Sequence, residues 1–196
     1  MDLHALPDGR VVNIRPIQPD DRERLQLSHE RLSDQSRYRR FMTSKPTLSA
    51  ADASYLVDID GRDHYALVAT VGEGEGEAII GVARYIRLPR HPEIAEFAIV
   101  VGDAWQGQGI AHELLGRLAD AAVTRGVRRF SATIFSDNMA IRHVIDALAA
   151  GPVIRHREGN VLEVDFPLPT RQPDVVITRG INERGAPAMI AAWAGS

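Results

Sequence analysis

Two glycines and two glutamines stand where an apolar run ends and a helical pattern begins, in Gln106-Gly107-Gln108-Gly109-Ile110-Ala111. The first N–H groups of a helix lack intrahelical acceptors, and the aligned peptide dipoles add partial positive charge there. Such an end binds phosphate, and glycine lets a ligand reach the backbone because no Cβ intervenes. The plainer alternative is a glycine pair that only turns a tight loop. Two other phosphate motifs fail: no Gly-Lys pair completes a Walker loop, and His112 stands where a dinucleotide fingerprint needs its third glycine. Gly72, Gly74 and Gly76 lead into a strand pattern, so they read as a turn. The seven histidines show no ligand spacing, so no metal is expected, and no GxSxG elbow offers a hydrolase. "SRYRRF", residues 36–41, mixes basic and aromatic residues as nucleic-acid surfaces do, but a short helix lining a groove, or a solvated one, explains it more simply.

The elements around the loop follow from periodicity. Residues 11–17 read as a strand, and Pro19 and Asp20 open a helix. Ser33 and Ser49 are candidate N-caps of two short helices. "HYALVATV" and "AIIGVARYIRL" form a hairpin across "GEGEGE", and "EIAEFAIVV" is a third strand candidate. Ala111, Leu114, Leu115, Leu118 and Ala122 share one face of a helix that Gly126 ends. A strand over residues 128–135, a helix carrying Ile141, Val144, Ile145 and Leu148, and a hairpin around Gly159-Asn160 follow. Antiparallel neighbours with at least one strand-helix-strand crossover make an α+β mixed sheet. "PTRQP", residues 169–173, reads as a linker to an added strand and short helix, whose apolar segments suit a homodimer contact or packing on their own chain.

Composition narrows the classes. The chain has 196 residues, 44% hydrophobic and 25% charged, which is material for one sizeable core. A net charge of -3 gives no global support for nucleic acid or an anionic membrane as main partner. With no cysteine, disulfides and thiolate chemistry are excluded. No segment approaches the roughly 18 apolar residues that span a bilayer, and the start lacks a leader pattern, so the expected compartment is the cytoplasm.

Gln-x-x-Gly-x-Ala at residues 106–111 resembles the signature of the GNAT superfamily of acyl-CoA-dependent N-acyltransferases. "IRPIQPDD", "IIGVARY", "EIAEFAIVV" and "FSDNMAIRHVIDAL" resemble its first, third and fourth strands and its later helix. More narrowly, "RLSDQSRYRRFM", "GVARY" and "AEFAIVVGDAWQGQGI" resemble the GNAT domain of bacterial Pat-type protein lysine acetyltransferases. The resemblance implies a GNAT-like mixed, mostly antiparallel sheet of six to seven strands with about four helices over residues 1–168, and a C-terminal extension over residues 169–196.

It further implies acetyl-CoA as co-substrate and direct transfer to an amine, most naturally a protein lysine, with a small-molecule amine or an amino terminus as alternatives. Backbone N–H groups from Gln108 to His112, with Gln106, Gly107, Gly109, Ile110 and Ala111, would hold the pyrophosphate, and Ile99, Val100 and Val101 would pair with pantetheine as an added strand. Asn138 matches the family asparagine; read alone it is a helix cap. Arg142, one turn on, is a phosphate candidate or a solvated surface residue. A lysine amine has a pKa near about 10.4, so a base must take its proton, and Glu96 matches the family's glutamate. Glu93 is its neighbour at the strand's edge. Val144 and Ile145 stand where many members carry a tyrosine that protonates the leaving thiolate, so water is the expected donor and His143 is expected to face solvent. The missing tyrosine also keeps a rival open: a coenzyme-binding sensor without turnover.

Overall fold

The computed structural model describes residues 3–42 and 46–169. Eight strands form one sheet: β1 (Leu3–Ala5), β2 (Val11–Pro16), β3 (His64–Val71), β4 (Ala78–Leu88), β5 (His91–Val101), β6 (Arg129–Phe135), β7 (Ile154–Glu158) and β8 (Val161–Pro167). Their order is β1-β2-β3-β4-β5-β6-β8-β7. Every neighbouring pair is antiparallel except β5 and β6. Five α-helices join them: α1 (Arg22–Glu30), α2 (Asp34–Phe41), α3 (Ala50–Val57), α4 (Ile110–Thr124) and α5 (Met139–Leu148). The fold is the expected α+β mixed sheet, with eight strands in place of six to seven and five helices in place of about four. The unforeseen strand is β1, whose three residues are too few to show a period. It is turned back onto β2 through Gly9, with Leu6 N–H to Arg10 O at 2.8 Å and Gly9 N–H to Leu6 O at 3.0 Å.

Caps fall where the sequence puts them. Ser33 Oγ accepts from Ser36 N–H at 3.2 Å, and Ser49 and Asp52 form a reciprocal capping box on α3. Asp21 is buried and takes both arms of Arg15 at 2.7 Å, which ties the start of α1 to β2, while Glu77 takes a third bond to Arg15 at 3.0 Å. These hydrogen bonds hold the Asp21 carboxyl below the usual carboxylate range despite its burial.

Two apolar layers cover the sheet. On one face Leu114, Leu115 and Leu118 of α4 and Ile141 and Ile145 of α5 pack on Leu67, Ala83, Tyr85, Phe97 and Val101. On the other, Leu25 of α1 and Val57 of α3 pack on Ala66, Val68 and Val82. Side chains alternate between the faces, so Glu96, Ala98 and Val100 share the second face, beside Ile86, Arg84 and Val82 of β4. The expected extension lies outside the described residues except for Pro169, and with it the expected strand, helix and dimer contact.

Candidate active site

Parallel β5 and β6 pair over only three positions, Ile94–Arg129, Ala95–Phe130 and Glu96–Ser131, and then part. β6 stays zipped to β8 along its whole length, from Arg129–Pro167 to Phe135–Val161, so beyond Glu96 the strand β5 has a neighbour on one side only. Main-chain groups alternate along a strand. Gly102 N–H reaches Ile80 O on the β4 side at 2.8 Å, while Val101 O turns the other way and accepts Gln106 Nε2 at 3.1 Å. By the same alternation Ile99 offers its N–H and C=O to the gap. Phe97, Phe130 and Phe166 pin the strands just before they separate, with ring centroids 5.4 to 6.2 Å apart.

The gap is a crevice of about 600 Å³ that runs through the sheet. Its walls are β5 from Glu96 to Val101, Ala132 to Ile134 of β6, the turn and first residues of α4, the start of α5, and Ser36, Arg39, Arg40 and Phe41 of α2. Helix α2 is held over it by Asp103, which accepts from Ser33 N–H and Oγ at 2.8 Å and from Ser36 Oγ at 2.7 Å, and by Tyr38 stacked 5.0 Å from Phe135.

At one end lies the start of α4. Gly109 is its N-cap with φ 84°, and Gly107 has φ 75°, a region that glycine enters without the Cβ penalty. Leucines on the buried side of this 15-residue helix fix its axis, so its N-terminus points steadily at the crevice. The first backbone bond into the helix from outside is Glu113 N–H to Gly109 O at 3.1 Å, and the N–H groups of residues 107–112 have no acceptor among the described residues. A Cβ added at either glycine would meet no atom within 4 Å, so the turn is open, not filled by its own side chains. That row of donors on a helix dipole fits a diphosphate.

At the other end Glu96 is exposed on the α2 side of the sheet and has no hydrogen-bond or ion-pair partner among the described residues. Glu93, by contrast, precedes the junction, where its carbonyl takes Arg128 N–H at 2.7 Å.

The remaining expected residues divide. Ile99, Val100, Val101, Gly107, Gly109, Ile110, Ala111 and His112 line the crevice. Gln106 lines it too, but its side chain closes the turn, with Nε2 also 3.3 Å from Ser36 Oγ. Gln108 turns away: Oε1 accepts from Arg10 at 2.8 Å and Nε2 donates to Ala104 O at 3.4 Å. Asn138 lines the crevice while Oδ1 caps α5 through Ile141 N–H at 3.5 Å. Arg142 is not among the lining residues, because its guanidinium folds back to Ser136 O and Met139 Sδ, both at 3.3 Å. Val144 lines the crevice and His143 is exposed. Sequence reasoning missed Arg40 and the pair made by the half-buried His64 and the buried Arg84. Arg84 Nη1 lies 3.1 Å from His64 Nε2, and burial, with Arg84 second, lowers the His64 pKa to about 4. Register sets His64, Ile86 and Glu96 in one row across the sheet, a relation that apolar periodicity does not carry.

No helix among the described residues is long and apolar enough to cross a membrane, and no three His, Asp or Glu among them gather as a metal site. Residues 12–149 match the family model described as an acetyltransferase (GNAT) domain. The acetyltransferase Pat of Mycolicibacterium smegmatis is 39% identical over 161 residues, 81% of this chain and 47% of that protein. The chain thus spans about half the length of that relative. An acetyltransferase of Pseudomonas aeruginosa is 34% identical over 74% of this chain and 78% of its own. The crystal structure of the GNAT domain of S. lividans PAT superposes with a TM-score of 0.74 at 35% identity, covering 85% of this chain and 96% of that one. With the diverging strands and the open turn before α4, these matches lead to one conclusion: the chain belongs to the GNAT superfamily of acetyl-CoA-dependent acetyltransferases.

Proposed function

We propose that the protein moves an acetyl group from acetyl-CoA directly to a lysine amine of a protein, with Glu96 as general base. The observation that carries this reading is that an unpartnered carboxylate and a row of unpartnered backbone donors open into one crevice from opposite ends. Residues 107–112 would hold the pyrophosphate, and the free edge of β5 at Ile99 would take the pantetheine amides as an added strand. The acyl group then lies toward Glu96. The acceptor ammonium gives a proton to Glu96, directly or through water, and the neutral amine attacks the thioester carbon. The nitrogen gives its surplus proton to water as the carbon–sulfur bond breaks, and the leaving thiolate takes a proton from water, since Val144 supplies no donor. Orientation of two reactants along one groove does much of the remaining work.

Protein lysine is favoured over a small amine by the likeness to Pat and to the PAT domain. Acetyl-CoA is an anion that does not cross membranes unaided, so the proposed compartment is the cytoplasm that makes it. The rival reading, a coenzyme sensor without turnover, draws on Val144 in the tyrosine position. Thiol release from acetyl-CoA, with mass spectrometry of the acceptor proteins, separates the two. Acetyl-lysine formed by the native protein and lost in Glu96→Gln supports transfer. Coenzyme binding with no transfer to any protein or amine supports the sensor.

A further inference from the structure

The α2 half of the crevice holds more positive than negative charge. Arg40 lines it and has no hydrogen-bond or ion-pair partner among the described residues; its guanidinium carbon lies 4.8 Å from the Phe41 ring. Beneath it on β4, Arg84 is 4% exposed and spends its guanidinium on two neutral groups, His64 Nε2 and Leu56 O at 3.2 Å, while its Nε has no partner. Arg39 lies 3.5 Å from Asp137 on the far rim. From β5 the charged group facing Arg40 is Glu96, which makes no ion pair within 4 Å. Burial draws Arg40 down to about 10, with Glu96 opposing, and Arg84 down to about 9, with Arg40 adding to the fall. Both therefore stay charged at neutral pH.

A buried guanidinium without an anion, as at Arg84, is costly, and the half-buried Arg40 above it adds a second like charge. An acceptor that brings only an ammonium adds a third like charge beside Arg40 and Arg84, and once Glu96 has taken its proton no anion among the described residues faces that pair, Asp137 being engaged by Arg39 on the rim. A carboxylate beside the acceptor amine removes this imbalance, and the planar fork of an arginine is matched to it. We infer that Arg40 selects acceptors in which a carboxylate neighbours the reacting amine: in a protein, a lysine flanked by Asp or Glu. This rests on the transferase reading above.

Two acceptor pairs test it by initial rates of thiol release: a short peptide with Glu beside Lys against the same peptide with Gln, and Nα-acetyl-lysine against its amide. With the native protein the acid of at least one pair should exceed its neutral partner about tenfold in kcat/KM, the scale of one hydrogen bond to a charged group. Arg40→Gln should abolish that difference, and Arg40→Lys should restore part of it as a point charge. Thermal melting and coenzyme A titration of both variants check that fold and coenzyme site persist. Equal rates for acid and neutral acceptors in both pairs overturn the proposal, as does an Arg40→Gln that slows every acceptor alike. If only the Nα-acetyl-lysine pair reacts, the protein-lysine reading falls while the carboxylate preference is still read. If nothing reacts although coenzyme A binds, both fall.

Discussion

Glu96 matters because it is a solvent-facing acid at the last point where β5 and β6 still touch. Glu96→Gln keeps the shape and removes the proposed base, so kcat/KM should fall about 10²- to 10⁴-fold while coenzyme affinity persists, read by steady-state kinetics beside calorimetry. Unchanged kinetics would move the base elsewhere. His64 supplies a pH signature. Its folded pKa of about 4 lies below the ordinary 6.5, so between those values the unfolded chain binds a proton that the folded chain refuses. Stability is therefore full above about pH 6.5 and declines as pH falls toward about 4, in a window above the ordinary carboxylate range. His64→Gln should flatten the melting temperature between pH 6.5 and 5; an unaltered slope would contradict this. At this scale Glu96 was legible because it stands in an apolar strand within a recognisable motif. Arg40 was not. Residues 36–41 hold three arginines, and which of them turns to the sheet depends on Asp34 and on Asp103 anchoring α2, neither of which periodicity reveals.

Among the elements, the divergence of β5 from β6 makes the crevice. Parallel pairing begins at Ile94, and the turn after Val101 sends α4 to the opposite face from α2, so the proposed coenzyme end and the proposed acceptor end open toward different layers. Gly109 is the pivot. Gly109→Ala has room for its methyl but must hold φ 84°, which costs about 1–2 kcal/mol and lowers the melting temperature by several degrees. It should also misdirect the N–H groups of Ile110 and Ala111 and weaken coenzyme A about tenfold. A melting temperature and affinity equal to the native protein's would show that the turn neither needs positive φ nor holds the ligand. Apolar runs announced β2 to β6 and the helix after the loop, and the turn at Gly159-Asn160 announced the β7–β8 hairpin. They did not announce the register, and the length over which two parallel strands stay paired is set by packing at Phe97, Phe130 and Phe166, residues 33 to 69 positions apart in pairs.

For the whole molecule, one sheet with a layer on each face brings α2 and α4, far apart in sequence, to the two mouths of one opening. The aromatic pin is its keystone: Phe166 on β8 is fully buried and meets Phe97 and Phe130 edge-on. Phe166→Ala should cost about 3–5 kcal/mol in denaturant unfolding and loosen the junction that aims Glu96. A loss below about 1 kcal/mol would mean the strands are held otherwise. The mixed α+β class was readable from strand and helix periods, and β1 was missed because three residues show none. The two hairpins gave the β3–β4 and β7–β8 neighbours and the crossover gave a parallel pair, but the rest of the strand order was not read from the sequence. The central claim is that backbone donors before α4 grip a diphosphate. Isothermal titration of the native protein with coenzyme A and, separately, with pantetheine, which lacks the phosphates, tests it most directly. The account predicts saturable binding of coenzyme A and at least about tenfold weaker binding of pantetheine; equal affinities, or no heat with coenzyme A, would contradict it.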